Sequence, residues 1–191
     1  FVAAKSAGPK ATSKDAALVM NAASGSYTAQ ISGANPGTGA VLAEIYDATP
    51  TASFTATTPR LVNVSARAQV GPGNLLIAGF AISGATAKQI LIRAIGPTLT
   101  SFNVPGVLAN PKLELFAAGQ TLPQVSNDDW GAVANPAEVA ALSASVGAFP
   151  LLLESRDAVL LVSLPAGSYT AQVSGVNNTS GAAIVEVYEV P

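Results

Sequence analysis

The sequence predicts an all-β protein: an antiparallel β-sandwich or jelly roll of about eight strands with one short helix, preceded by a three-stranded N-terminal partial repeat. Two observations carry this prediction. Many short segments alternate apolar and polar residues with period two, which is the pattern of strands that bury one face. In addition, residues 13–47 align without gaps with residues 155–189, and 17 of the 35 aligned positions are identical. The constant offset of 142 residues has the size of a domain, not of a solenoid repeat.

Each copy of the repeat is predicted to form three strands. In the segment SYTAQIS, Tyr27, Ala29 and Ile31 fall on one face and the polar side chains fall on the other. The flanking segments DAALVM and GAVLAEIYD have the same strand-like character and are separated from it by short turns rich in small and polar residues. The three segments together predict a three-stranded meander that ends in a hairpin.

The chain divides into a partial repeat, a linker and a complete module. Residues 49–59 are rich in Thr and Pro and are predicted to link residues 1–48 to residues 60–191. We call residues 1–48 the arm and residues 60–191 the module. Three strands cannot close a sandwich of eight, so the arm is predicted to have open strand edges that must pair with something else.

The elements of the module follow from alternation and from apolar runs. The GPGN sequence between the first two apolar segments is typical of a turn. Asn135 is placed to cap a helix, because Pro136 suits the first turn and Glu138 stands three residues after the cap. Before the repeated segment, strands are predicted at residues 60–70, 75–82, 89–95 and 113–116. The second and third of these are nearly continuous apolar runs, which predicts that they lie at the buried centre of a sheet.

Several stretches of the module resemble a β-module that is repeated in large secreted proteins of environmental bacteria. They are RLVNVSARAQVGPGNLLIAGFAISG, ILIRAIGPTL, NPKLELF, NDDW and LPAGSYTAQVSG. The segments LELF, SNDDWG and AGSYTAQVSG are also similar to bacterial pre-peptidase C-terminal-type domains. Both resemblances imply a secreted β-sandwich without catalytic residues, and the second implies a family in which some members bind calcium. The arm matches only the last third of the module.

The composition argues against an enzyme. The chain contains no Cys and no His, so it lacks the thiolate nucleophile, the most frequent general base and the most frequent neutral metal ligand. None of its many serines stands in a G-x-S-x-G motif. We therefore predict no enzymatic activity and no resident cofactor, with calcium as the one candidate metal ion.

Charge and hydropathy narrow the choice of partners. The net charge of −2 supplies no basic field that would hold a nucleic acid. The longest strongly apolar run, Leu75–Ile82, is far shorter than the about 20 residues that cross a bilayer, so no membrane span is predicted. Charged residues make up 10% of the chain, against about 25% in an average domain. So few charges predict a surface covered by neighbouring subunits or by sugars.

The composition also predicts an extracellular or cell-surface location. Few charges together with much Thr, Ser, Gly and Ala are typical of exported bacterial surface proteins. Residues 1–8 contain no apolar core of a signal peptide, so an exported protein is expected to be present here in its mature form.

One metal site is a candidate. Asn127, Asp128 and Asp129 offer the oxygen ligands that calcium takes in proteins. No D-x-D-x-D-G loop surrounds them, and the alternative interpretation is an Asx turn that closes a connection between strands. In that alternative, the neighbouring Trp130 fills the edge of the core.

The incomplete copy of the repeat leads to two functional hypotheses. The first is a structural subunit of an extracellular bacterial filament or surface array, which self-assembles with copies of itself through strand contacts of the arm. The alternative is a tandem adhesin or carbohydrate-binding appendage of a larger secreted protein, in which tyrosines of the repeat would form a platform for glycans. For the first hypothesis, the predicted subunit-contact residues are Tyr27, Ile31, Leu42, Ile45 and Tyr46.

Overall fold

The structure is a computed structural model that describes residues 14–34, 37–55 and 57–191. It separates the chain into two compact units, residues 1–61 and residues 62–191, and each is described by itself. The first unit contains the arm, and the second contains the sandwich of the module. In the part of the chain that the structure describes, no helix combines the length and the apolarity needed to cross a membrane.

The second unit is a sandwich of two four-stranded antiparallel sheets with one short helix, which confirms the predicted fold class. The strand order is β1-β8-β3-β6 in the first sheet and β2-β7-β4-β5 in the second. The elements are β1 (Asn63–Val70), β2 (Leu76–Ile82), β3 (Lys88–Ile95), β4 (Pro111–Ala117), β5 (Val125–Asn127), α1 (Pro136–Ser145), β6 (Ala158–Leu164), β7 (Gly167–Gly175) and β8 (Gly181–Val190).

In the first sheet, the central strands β3 and β8 are buried on both faces. The inner face of this sheet packs on the second sheet around a core that includes Ile92, Val185 and Val187. On its outer face, Leu91 and Val159 form a second cluster with Trp130, α1 and the segment that follows α1. A strand covered on two faces has no polar face, which explains why β3 is a nearly continuous apolar run.

The equally apolar β2 lies at an edge of the second sheet, not at a sheet centre. Ile77 in the middle of this strand is 53% exposed. An apolar run was therefore a correct signal for a strand but not for its place in the sheet, because that place depends on which strands pair with it. A further strand, β5, is short and follows residues that the sequence pattern assigned to no element.

Turn and cap residues act as their chemistry predicts. The β1–β2 turn is closed by two backbone hydrogen bonds between Gly71 and Asn74, at 2.8 and 3.0 Å, and Gly73 occupies a left-handed conformation with φ of +71°. At the start of α1, Asn135 Oδ1 accepts a hydrogen bond from the backbone N–H of Glu138 at 3.2 Å.

The arm does not form the predicted three-stranded meander. No residue of the arm that the structure describes, 14–34 and 37–48, lies in a strand. The reason is visible in the module, where the corresponding strands β6, β7 and β8 do not pair with one another. β6 pairs with β3, β7 pairs with β2 and β4, and β8 pairs with β1 and β3. Strands that take every partner from outside the repeat cannot form a sheet by themselves.

Candidate assembly site

The arm exposes the apolar side chains that were predicted to make subunit contacts. Their exposed fractions lie between 40% for Tyr46 and 81% for Leu42. Other large apolar side chains of the arm are exposed as well, among them Leu18 and Val19. The contact of these residues with a neighbouring subunit stays a prediction, since the structure contains a single chain.

The same positions are covered in the module. Tyr169, Val173, Val187 and Tyr188 correspond to Tyr27, Ile31, Ile45 and Tyr46 at the constant offset, and all four are buried. The counterpart of Leu42, Ile184, is half-buried. The two copies therefore carry similar side chains in opposite environments, and what differs between them is the presence of partner strands.

One local feature of the repeat is present in both copies. The Tyr169 hydroxyl donates a hydrogen bond to the carbonyl oxygen of Pro165 at 3.0 Å, four residues earlier. The Tyr27 hydroxyl donates in the same way to Ala23 at 2.9 Å. The turn that leads into the middle strand of the repeat is thus specified by local sequence, and the arm retains it without a sheet.

A buried ion pair connects β3 to β8. Arg93 has no exposed surface, and its Nε and Nη2 atoms lie 2.8 and 2.6 Å from Glu186 Oε2. Its Nη1 atom donates to the carbonyl oxygen of Phe149 at 2.7 Å, and its guanidinium carbon lies 4.6 Å from the centre of the Phe149 ring. The Nε and Nη1 atoms of Arg93 thus donate hydrogen bonds and its charge faces a carboxylate, as a charge in a protein interior requires, whereas the buried Nη2 makes no hydrogen bond. In the arm, Glu186 corresponds to Glu44.

The environment of β8 also raises the pKa of a tyrosine. Burial raises the pKa of Tyr188 to about 12, with a further contribution from the charge of Glu186. In the arm, Tyr46 donates a hydrogen bond to Glu44 Oε1 at 2.8 Å, and this bond is the main reason that its pKa is raised.

We expect Tyr188 to make the stability of the module depend on alkaline pH. Its folded pKa of about 12 exceeds the ordinary value of 10.0, so the unfolded chain releases this proton first. The contribution is complete below about pH 10 and is lost as the pH rises toward 12. Urea unfolding across this range should show a flatter pH profile for Tyr188→Phe. The matched Tyr46→Phe change should flatten the profile far less, because the raised pKa of Tyr46 rests on one solvent-exposed hydrogen bond and not on burial. Equal flattening by both variants would contradict the assignment.

A second buried carboxylate fixes the chain after β3. Asp157 accepts hydrogen bonds from the backbone N–H of Gly96 at 2.8 Å, from the backbone and the hydroxyl of Thr98, and from the Ser155 hydroxyl at 2.6 Å. It has no exposed surface. Asp157 therefore joins the start of β6 to the Gly-Pro-Thr turn at the end of β3, and its counterpart in the arm, Asp15, is exposed.

The proposed calcium ligands lie at the end of β5. Asn127 Oδ1 accepts from the backbone N–H of Val159 at 2.9 Å, and Asn127 Nδ2 donates to the carbonyl oxygen of Asp129 at 3.0 Å. Asp128 is exposed and Asp129 is half-buried. Among the described residues, no three His, Cys, Asp or Glu side chains form a group that could hold a metal ion. Asn127 has a structural role here, and calcium binding stays a prediction.

A cleft of about 430 Å³ lies between β5, α1 and β6. Most of its lining is apolar, and Glu138 is its one acidic residue. That carboxylate accepts a hydrogen bond from Asn135 Nδ2 at 3.2 Å, as part of the cap of α1. The cleft therefore offers packing surface and no arrangement of reacting groups.

The sequence interpretation missed the buried polar residues as a set. Arg93 is the one charged residue inside the run ILIRAI, and Asp157 and Glu186 recur in both copies of the repeat. A charged residue kept within an apolar strand was the available signal, since burial of a charge requires a partner. For the repeat residues Glu186 and Asp157, the groups that they bind on β3 and on the turn after β3 lie outside the repeat.

No protein-family model matches the chain, and no curated protein matches it at a significant level. Among solved structures, it is similar to the crystal structure of the pre-peptidase C-terminal domain of a collagenase from Bacillus anthracis. The sequences are 12% identical, the TM-score is 0.40, and the match covers 66% of this chain and 89% of that chain. This neighbour belongs to the second of the two families that the sequence resembles. No residue role is transferred from it, and the resemblance to the repeated secreted module stays a prediction.

Proposed function

We propose that this chain is a structural subunit of an extracellular filament or surface array, and that the arm makes the contact between subunits. One observation carries the proposal: the arm exposes apolar side chains whose counterparts in the module are buried by strand partners. Full burial of one Leu, Ile or Val side chain contributes about 1.5–3 kcal/mol. Covering several of them would provide a substantial driving force for association.

The open side of the sandwich supports the same proposal. β1 is an edge strand in which residues 65–69 are all exposed. It contains a single charged residue, Arg67, and no proline, so it lacks most of the devices that protect edge strands from pairing with other chains. An unprotected edge strand of this kind is expected in a protein that packs against neighbouring subunits.

A second candidate function is favoured by the pairing of the repeat strands. Because β6, β7 and β8 take all their partners from β1 to β4, the arm resembles the end of a module more than an independent hairpin. This favours a tandem arrangement of modules in a larger secreted protein. It gives no support to a glycan platform, since Tyr169 and Tyr188 are both buried.

The solution mass of the full chain tests the proposal. We expect the unmodified chain to form polymers that are visible by light scattering and in negative-stain micrographs. Leu42→Ser combined with Ile45→Ser should shift the mass toward the monomer, because it removes apolar surface from the arm. The control combines Leu122→Ser with Leu153→Ser, which are 78% and 86% exposed outside the arm, and it should leave the polymers intact.

Monodisperse monomers of the unmodified chain at every concentration would exclude the filament. Polymers that respond equally to both double substitutions would show instead that contacts do not depend on the arm. Circular dichroism of the same samples shows whether the module is folded, so that a change in mass can be separated from a loss of folding.

A further inference from the structure

We infer that the arm is the last third of a second sandwich, and that its partner is the set of strands β1 to β5 of another module of this type. The inference rests on the proposed role of the arm as a contact and names what it contacts. It starts from the pairing map, in which every ladder of the repeat strands in the module is formed with β1, β2, β3 or β4.

The side chains of the arm specify what the partner must offer. In the module, the Tyr169 ring stacks on Phe80 of β2 with centroids 5.6 Å apart, and Glu186 pairs with Arg93 of β3. The arm repeats these two residues as Tyr27 and Glu44. A matching partner therefore carries an aromatic residue on its second strand and an arginine on its third strand.

A glycine gives independent support. A Cβ added to Gly181, at the start of β8, would overlap the backbone of Val107 and Leu108, so the packing of β8 requires glycine there. The arm has glycine at the same position, Gly39, where a Cβ would meet nothing within 4 Å. The arm as it stands gives no steric reason for this glycine, whereas docking on a backbone like that of 107–108 does.

A folded copy of the chain can offer this partner only by strand exchange. The described chain contains one set of strands β1 to β5, and its own β6, β7 and β8 already fill that set. The arm of a neighbour would reach it only by displacing residues 155–190. The partner is therefore a module that has strands β1 to β5 but whose positions for β6, β7 and β8 are vacant.

The geometry of the module provides a test within one chain. The end of β8 lies beside the residue that precedes β1, since the backbone N–H of Glu189 donates to the carbonyl oxygen of Val62 at 3.2 Å. An arm in the position of β6 to β8 would likewise end beside Val62, and residues 49–61 join the two. A chain shortened to end at Glu154 thus offers its own arm a vacant five-strand set.

Two proteins test the inference by amide hydrogen exchange. The first is the chain that ends at Glu154. The second is an extended chain in which an additional copy of residues 57–154 is placed directly before Ser13, so that the arm follows it as Ser155 follows Glu154. In the unmodified chain, at concentrations below those that give polymers, we expect fast exchange throughout residues 14–34 and 37–48. In both test proteins we expect exchange there to slow by at least about 100-fold, as for amides in a stable sheet.

Two glycine variants provide a matched control in both proteins. Gly39→Ala should abolish the protection because its Cβ would meet the partner backbone. Gly37→Ala should preserve it, because the counterpart of Gly37 is Thr179, which already carries a side chain, and a Cβ at Gly37 also meets nothing within 4 Å in the arm.

Protection of the arm in either protein, with the expected difference between the two glycine variants, supports the inference. Fast exchange of the arm in both proteins, or equal behaviour of Gly39→Ala and Gly37→Ala, overturns it. The proposed function is judged separately from the mass of the unmodified chain. Polymers of that chain combined with an unprotected arm in both test proteins would retain the proposed function and reject this partner.

Discussion

Arg93→Ala is expected to lower the free energy of unfolding of the module by about 3–5 kcal/mol, because it leaves one partner of a buried ion pair without the other. Glu186 is 6% exposed and would remain charged among apolar neighbours. The carbonyl oxygen of Phe149 would lose its donor as well. Urea unfolding measures the effect, and the buried Trp130 is the only tryptophan and supplies the fluorescence signal.

A surface ion pair is the matched control for this prediction. Lys112 Nζ lies 2.7 Å from Glu114 Oε1, but their side chains are 42% and 23% exposed. Lys112→Ala should therefore cost less than about 1 kcal/mol. Combining Arg93→Met with Glu186→Leu should restore most of the stability, since it removes both charges and keeps apolar volume. A loss for Arg93→Ala no larger than that for Lys112→Ala would show that the buried pair does not hold β3 to β8.

The elements of the sandwich were accessible from sequence because their signals are local. Alternation indicates which side chains share a face, and the turn at Gly71 to Asn74 and the cap at Asn135 depend on residues within a few positions of one another. Such signals do not require knowledge of the rest of the chain. They therefore predicted the helix and seven of the eight strands of the module in the order in which the structure has them, and missed the short β5.

The pairing of the strands was not accessible in the same way. The two residues between β6 and β7 have the length of a hairpin loop, yet the chain crosses there from one sheet to the other. β8 instead pairs with β1, and the side chain of Asn63 donates to the carbonyl oxygen of Val187 across 124 positions of sequence. Alternation indicates the face of a strand but carries no information about its sheet, which is why the repeat was interpreted as a meander.

The same distinction explains the candidate site. The arm and its apolar residues could be found from the sequence, because the identity between the two copies of the repeat is visible without a structure. The sequence could not reveal that the carboxylates of the repeat bind groups on β3 and on the turn that follows β3. The structure of the module shows these partners, and the arm lacks them. We therefore infer that the arm requires strands β1 to β5 of another module.

Asp157→Ala is expected to destabilise the module by about 3–5 kcal/mol, because two backbone N–H groups and two hydroxyls would lose their buried acceptor together. Asp157 and Thr98 are 0% and 2% exposed, so these donors lie out of reach of bulk solvent. The repeat offers the control: Asp15→Ala makes the same change at an exposed position and should alter stability by less than about 0.5 kcal/mol. Thermal and urea unfolding of the two variants measure the difference. Equal losses of stability in the two variants would mean that the carboxylate of the repeat acts in the arm itself. If neither variant loses stability, the turn after β3 is held by its backbone alone.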